Sequence, residues 1–448
     1  MKSGVPKSEE SGDLVIGSLG ERAVANPLHK PPHMYVTDEQ KVTVYSSSED
    51  LLPYFQRNEM PPMFERAGPR EEIFFNPSEL TCGIVTCGGL CPGLNDVIRT
   101  IVLSLHWQYG VQKVLGFRYG YAGLSSRAQL EPMTLTPQTV DSIQHEAGTI
   151  IGSSRGDREV GDMISALRKH NIGALFVVGG DGTFSGAHEL SQEIARRKLP
   201  IAVVGVPKTI DNDIFCSERT FGFSTAVEEA RHAVAAAHTE AKAAWNGVGL
   251  VKLMGRDSGF IAANATLANS DVNYCLIPEA PFSMEGAGGM LEHLEQRLAR
   301  KHHAVIVVAE GAGQHLFKES GPVGHDASGN MKYKDIGLFL KENLKRHFQN
   351  KNIPLILKYI DPSYTIRGCP ANADDSAFCL MLGQNAVHAA MAGKTDMFIS
   401  YWNHHFTHVP FQAAAGKRKK IDTCGTLWQT LLATTEQCDF IQCPVDHK

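Results

Sequence analysis

The chain has 448 residues, 43% hydrophobic and 20% charged, which is length enough for two or three soluble globular domains with sizeable cores. Its formal net charge of -5 excludes the broad basic field that nucleic acid or an anionic membrane calls for, so phosphorylated ligands would have to be held by local cations. The 10 cysteines form no paired C-x-x-C and no Cys/His cluster at zinc-finger spacing, and no apolar run approaches the roughly 18 residues of a membrane span. Residues 1–13 are polar and charged, unlike a secretory signal, and Asp446-His447-Lys448 is neither a peroxisomal address nor a prenylation box. A cytoplasmic location is the expectation.

In chain order, residues 1–78 are uneven, with Pro31-Pro32, Ser46-Ser47-Ser48 and Pro61-Pro62. They read as an arm, in part disordered, that packs on the body or on another subunit. Regular patterning begins at 81–86, a strand running into Cys87-Gly88-Gly89-Leu90-Cys91-Pro92-Gly93-Leu94-Asn95. A helix over 96–106 follows, with Val97, Ile98, Ile101, Val102 and Leu105 on one face. A glycine-rich turn between strand and helix offers bare N–H groups and a helix N-terminus to a phosphate. This one is neither a Walker A sequence nor G-x-G-x-x-G. Cys87 and Cys91 read as small packing residues in a reducing compartment.

Residues 113–117 form the next expected strand and 119–123 a loop beside it. Gly148 to Gly156 is a second glycine-bounded turn, and its Arg155 is either a solvated charge or a phosphate ligand on the same rim. Helices are expected over 162–170 and 184–197, the latter closing on Arg196, Arg197 and Lys198 as the helix dipole prefers. Between them the apolar run 174–178 ends in Gly179-Gly180-Asp181-Gly182-Thr183. A second apolar run, 201–206, ends in Pro207-Lys208-Thr209-Ile210-Asp211-Asn212-Asp213. A lone Asp in a turn ordinarily caps that turn. Two strand ends that each deliver an acid are instead what a magnesium phosphate site requires.

An alanine-rich helix over 227–244 reads as plain helix propensity. The strand 248–253 empties into Met254-Gly255-Arg256-Asp257, opening a second lobe whose further strand ends lie at Glu279 and Glu310. Residues 311–334 are long and polar, as expected of a mobile lid or regulatory loop. Lys358 to Arg367 gathers two cations and two phenols, 374–392 returns as a helix, and 417–420 is a basic run read as a solvated face. Alternating strand, turn and helix predict an α/β protein with mainly parallel sheets. We expect two Rossmann-like three-layer α/β/α lobes plus the N-terminal arm. One lobe would take residues 79–222 and 366–416, the other 223–365 and 417–448, after an arm over 1–78.

Taken together, Gly88-Gly89-x-Cys91-Pro92-Gly93-Leu94-Asn95, the Gly179 to Thr183 turn, the Pro207 to Asp213 stretch and Met254-Gly255-Arg256 have the order and spacing of the phosphofructokinases. From about residue 72 to 432 the chain resembles that family, above all the long ATP-dependent enzymes of plants and trypanosomatids. The resemblance implies transfer of the γ-phosphate of Mg²⁺-ATP to the 1-hydroxyl of fructose 6-phosphate, a step of glycolysis, by a homotetramer. It implies Asp211 as general base, Asp181 as the magnesium residue with Asp213 as a lesser contributor, and Arg155, Arg256 and Thr209 around the transferred group. Gly88, Gly89, Gly180, Gly182 and Thr183, with Arg155 and Asp181, would meet the nucleotide. Thr209, Asp211, Met254, Gly255, Arg256, Glu310, Lys358, Tyr364 and Arg367 would meet the sugar phosphate.

Two departures bear on substrate choice. Lys208 stands where short bacterial members of the family have Gly, as in pyrophosphate-dependent relatives, whereas Gly182 stands where those relatives have Asp. An Asp there would crowd and repel the α-phosphate of a nucleotide, so Gly182 favours ATP. An Arg that bacterial members borrow from a neighbouring subunit is absent near Asn246 and Gly247, leaving Asn246 as the candidate substitute. An NAD or lipid kinase would share the Gly-Gly-Asp-Gly-Thr element but leaves the Lys358 to Arg367 cluster unexplained. A catalytically dead regulatory subunit would have lost Asp211, Asp213 or Arg256, and all three are present.

Overall fold

The computed structural model describes residues 14–127, 129–156, 159–286, 288–317, 324, 332–435 and 437. Runs such as Ala-Leu-Phe-Val-Val have no polar face to leave in water, so they become strands covered on both sides. In chain order the first lobe's strands are β1 (Lys41–Thr43), β2 (Met63–Arg66), β3 (Thr81–Thr86), β4 (Lys113–Gly116), β5 (Met133–Thr134), β6 (Ile172–Gly179) and β7 (Ala202–Pro207). The second lobe adds β8 (Gly247–Leu253), β9 (Tyr274–Leu276), β10 (His303–Ala309) and β11 (Ile356–Ile360). The chain then returns to the first lobe as β12 (Met397–Trp402) and β13 (His405–Pro410).

The first sheet has nine strands in the order β1-β2-β13-β12-β7-β6-β3-β4-β5, and the second has four in the order β9-β10-β8-β11. The second sheet is parallel throughout, whereas the first is parallel only from β12 to β4 and antiparallel at both margins. The β12–β13 hairpin has no counterpart in the sequence expectation, because its aromatic and histidine-rich strands show no clean alternation. The arm is not a separate body over its described length. Its β1 and β2 extend the main sheet past β13, and Asp38, Glu65 and the buried Arg70 form ion pairs there, two of them to Lys394.

Alternate residues of the central strands face two cores. Ile84, Phe176 and Val204 pack with Val97, Ile98 and Ile101 of α1 (Leu94–Leu103); Val85, Val177 and Val203 pack with Phe184, Ala187 and Leu190 of α2 (Asp181–Arg196). These are the layers of an α/β/α lobe. In the second lobe α3 (Phe223–Lys242) lies on β8, and its alanine stripe has a packing role beyond helix propensity. A Cβ at Gly249 would stand 2.7 Å from the Ala237 carbonyl oxygen, and one at Gly247 would stand 2.0 Å from that of Ala241. Small residues on both partners therefore let helix and strand backbones touch.

Two loop expectations change. Residues 318–323 and 325–331 lie outside the described residues, but the start of that loop is packed: Gly311, Ala312 and Gly313 are buried, and Gln314–Phe317 is a short 3-10 helix. The basic run 417–420 is not a solvated face either. Lys419 is buried, and its ammonium donates to the carbonyls of Ser217 (2.8 Å) and Glu218 (3.0 Å).

Candidate active site

Five strands, β3, β6 and β7 of the first sheet and β8 and β10 of the second, deliver their carboxyl ends to one cleft of about 630 Å³. Crevices at the carboxyl ends of parallel strands are where open α/β sheets bind ligands. Gly88, Gly89, Arg155, Gly180, Asp181, Gly182, Thr183, Lys208, Thr209, Asp211 and Asp213 line it from the first lobe. Met254, Arg256, Asp257 and Glu310 face them from the second.

The turn after β3 is held open to a ligand by its glycines. Gly88 has φ +88°, and its N–H donates to the Ser154 carbonyl at 3.0 Å. A Cβ at Gly89 would stand 3.2 Å from an Arg155 nitrogen and 3.3 Å from one of Arg367, so this position lies beneath two guanidinium groups. Cys91 packs beside the turn as expected, its thiol donating to the Phe221 carbonyl at 3.3 Å. After β6 the helix begins one turn earlier than the sequence expectation. Gly180 is the cap and Asp181 the first helical residue, where the dipole favours a negative charge.

The turn after β7 is locked by its own side chains. Thr209 donates its hydroxyl hydrogen to Asp213 Oδ1 (2.8 Å) and accepts from the Asp211 N–H (3.1 Å). Asn212, at φ +54°, turns inward, donating to the Glu218 carbonyl and accepting from the Thr220 N–H. A left-handed residue between two acids thus aims both carboxylates forward. Asp211 Oδ1 is buried with no hydrogen-bond partner among the described residues. Burial first, then the charges of Asp213 and Glu310, raises the Asp211 carboxyl well above its ordinary value. Beside it Lys208 is buried, its Nζ donating to the Gly89 carbonyl at 2.9 Å, and burial lowers its pKa. Burial likewise raises Glu310.

On the second lobe Gly255 takes φ +122°, and a Cβ there would stand 2.5 Å from the Ser258 carbonyl oxygen. This sharp turn sets Met254 and Arg256 into the cleft, where the Arg256 guanidinium lies 4.9 Å from the Tyr333 ring centre. Arg367 also lines the cleft, stacked on Tyr364 at 4.9 Å. Lys358 and Tyr364 do not line it. Lys358 is half-exposed and 3.4 Å from Glu240, and Tyr364 is 80% exposed. Asn246 does not line the cleft: it is buried, donates to the Pro354 carbonyl (3.1 Å) and lies against His302 (3.4 Å).

Other groups in the cleft had no role in the sequence reading. Arg418 reaches Asp213 at 3.0 Å, Asp181 at 3.5 Å and Asp257 at 4.0 Å. Lys252 bridges Asp335 (2.7 Å) and Asp361 (2.8 Å), and Tyr333 donates to Asp257 at 3.2 Å. A run of four cations gave no sign that its second member sits among carboxylates. Among the described residues no group of three acidic, histidine or cysteine side chains could hold a metal ion by itself.

Comparison with known proteins supplies the family. Residues 81–390 match the family model described as Phosphofructokinase. An ATP-dependent 6-phosphofructokinase of Borreliella burgdorferi is 48% identical over 441 residues, covering 96% of this chain and 97% of the relative. One from Trypanosoma brucei brucei is 48% identical over 378 residues, covering 84% and 77%. Among solved structures, a pyrophosphate-dependent phosphofructokinase from Marinobacter aquaeolei superposes with a TM-score of 0.65 at 23% identity, covering 79% of this chain and 91% of that one. That last likeness speaks for the fold alone. A cleft built from five strand ends, motifs in family order, a matching family model and a relative alike over 97% of its length lead to one conclusion: the chain belongs to the phosphofructokinase family.

Proposed function

We propose that the protein is an ATP-dependent 6-phosphofructokinase, transferring the γ-phosphate of ATP to the 1-hydroxyl of fructose 6-phosphate to give fructose 1,6-bisphosphate and ADP. The observation that carries the reading is the buried carboxylate of Asp211, whose Oδ1 has no hydrogen-bond partner among the described residues, set between phosphate-type turns and the second lobe's Arg256 and Glu310. A sugar hydroxyl is a poor nucleophile near neutral pH, and Asp211 is the base that would accept its proton as it attacks. Its raised pKa strengthens it as a base, because a more basic carboxylate takes a proton more readily. Arg155 and Arg256 would draw charge from the transferred group and its bridging oxygen, the main demand of phosphoryl transfer. Gly88, Gly89, Gly180 and Gly182 would let backbone approach the nucleotide, with Thr183 beside it. Met254 and Gly255 would pack on the sugar, Glu310 would bind its hydroxyls and Arg367 its 6-phosphate.

The acids fit magnesium, a hard cation that takes one or two carboxylates and completes its shell with phosphate oxygens and water. Asp181 would hold it, with Asp213 as the lesser contributor. When bound, the ion supplies charge neutralisation on the β- and γ-phosphate oxygens. Thr209, whose hydroxyl already bonds Asp213, would keep that carboxylate in place.

One observation favours a second donor, inorganic pyrophosphate: the Lys208 ammonium lies inside the Gly88–Gly89 turn. Rates with ATP and with pyrophosphate, measured side by side, separate the two. ATP should be the better donor in the parent enzyme, and Gly182→Asp should lower the ATP rate while sparing the pyrophosphate rate. A parent enzyme that works only with pyrophosphate would reverse the assignment. A homotetramer and a cytoplasmic location complete the proposal, and light scattering measures the first. No described helix is long and apolar enough to cross a membrane.

A further inference from the structure

Three carboxylates from three turns face one guanidinium across the cleft: Asp181 at the start of α2, Asp213 after β7 and Asp257 after β8. Acids so gathered repel unless a cation stands among them. Arg418 is the cation that reaches all three, although Asp257 also lies 3.9 Å from Arg256. Its Nη1 donates to Asp213 Oδ2 at 3.0 Å, its Nη2 lies 3.5 Å from Asp181 Oδ2, and its Nε lies 4.0 Å from Asp257 Oδ2. The backbone that carries it is tied to the same acids. Lys419 N–H donates to the Asp213 carbonyl at 2.9 Å, Gly416 N–H to Asp181 Oδ1 at 3.3 Å, and Arg418 forms an antiparallel bridge with Ile214. The buried Lys419 anchors the segment from behind.

We propose that Arg418 holds the place of the divalent cation in the nucleotide-free enzyme. It keeps Asp181, Asp213 and Asp257 gathered, and it competes with a bare metal ion for them, so that the metal enters as its nucleotide complex. Arg418 is thus a positioning residue acting through Asp181 and Asp213. The inference deepens the proposed phosphotransferase reading and rests on it for the role of Asp181. The physical basis is a difference in what each cation needs. A guanidinium satisfies several carboxylates through a planar fork of N–H groups. Magnesium-type ions take only one or two carboxylates and fill the rest of their octahedron with water or phosphate oxygens. A bare ion must give up part of its water shell and displace a hydrogen-bonded guanidinium for a few carboxylate bonds, whereas a nucleotide-borne ion is held by its phosphate oxygens before it meets the acids.

The test is Mn²⁺ binding to the full-length, nucleotide-free protein, followed by electron paramagnetic resonance of the free ion, for the parent and for Arg418→Met, Arg418→Gln and Arg418→Lys. The Met and Gln variants are expected to bind Mn²⁺ at least about tenfold more tightly, because a full positive charge has left the carboxylates. The Lys variant, which keeps the charge, should stay within roughly threefold of the parent. Circular dichroism establishes which variants fold, and either neutral variant suffices. If neither folds, recovery of folding in millimolar Mn²⁺ is the expected result, and no recovery overturns the proposal. Unchanged or weaker Mn²⁺ affinity in a folded neutral variant also overturns it, as does a Lys variant that tightens as much as Gln. Tightening in a protein that does not phosphorylate fructose 6-phosphate would sink the reaction assignment and leave Arg418 in its place. An active enzyme whose Mn²⁺ affinity ignores Arg418 would do the reverse.

Discussion

At the scale of single residues, Asp211 sets function against stability. Burial, joined by the charges of Asp213 and Glu310, raises its pKa above the ordinary 3.8, so the fold prefers its neutral form. The stability it contributes is therefore full at low pH and is lost as pH rises through the raised value. Catalysis needs the opposite, ionised form. Asp211→Asn, which cannot ionise, should melt higher at neutral pH by roughly 1–3 °C while losing its base, the usual exchange of activity for stability. A lower melting temperature by calorimetry would show that the charge is stabilised after all. In the parent enzyme the turnover should fall on the acid side at a pH above that of an exposed aspartate, readable from a pH–rate profile. Asp211 and Asp213 were legible as a pair because two acids just past an apolar run are rare outside a site. Arg418 was not, since its run of cations looks like any solvated surface until β7's turn and the C-terminal segment are brought together. Lys358 and Tyr364 illustrate the converse: a motif places residues in sequence, but their exposure depends on which way the strand end faces.

At the scale of elements, caps and close approaches decide where the strands can aim their ends. The helix α4 (Ala373–Met391) is started by Asn372, whose side chain accepts from Asp375 N–H at 2.9 Å and donates to Glu228 at 2.8 Å. Its buried Asp375 in turn accepts from the Thr225 N–H and hydroxyl, both at 2.7 Å, tying α4 to α3 across the two lobes. Asn372→Ala should cost about 1 kcal/mol, seen as a lower urea midpoint with an unchanged slope. No loss of midpoint would mean that water replaces the cap at no cost. The central strands and main helices could be read from the sequence because their apolar runs lack any polar interruption. Their ends were less legible. Gly180 and Asp181 look like a turn in sequence, yet the dipole draws the acid into the helix. The β12–β13 hairpin escaped because its strands show no clean alternation to mark them.

At the scale of the whole molecule, the arm is fastened to the main sheet by buried charge. Lys394 Nζ lies 3.0 Å from Asp38 and 2.9 Å from Glu65, Arg70 pairs with the same two acids, and His408 Nδ1 stands 2.9 Å from Glu65. Burial alone would raise Glu65, but hydrogen bonds from His408 and Lys394 and the Lys394 charge hold its pKa at about 2; burial lowers His408 itself, so near neutral pH it acts as a neutral hydrogen-bond donor. A depressed carboxylate stabilises the fold above its ordinary value of 4.5 and loses that contribution as pH falls toward about 2. Lys394→Met removes one buried partner from two acids that Arg70 still pairs, and should cost about 1–3 kcal/mol. Hydrogen exchange should then report loss of protection first in β1 and β2, and unaltered protection there would show that the arm is held by packing alone. The pairings to Lys394 and His408 cannot be read from sequence, because partners more than 300 residues apart carry no local pattern. The central claim remains that the lobes meet around one phosphoryl-transfer centre with Asp211 as its base. Its most direct measurement is the rate of fructose 1,6-bisphosphate formation from ATP and fructose 6-phosphate by the parent enzyme and by Asp211→Ser. The account predicts turnover lowered by about 10²–10⁴-fold with KM for the sugar phosphate little changed. A near-normal rate in the variant, or no sugar bisphosphate from the parent, would contradict it.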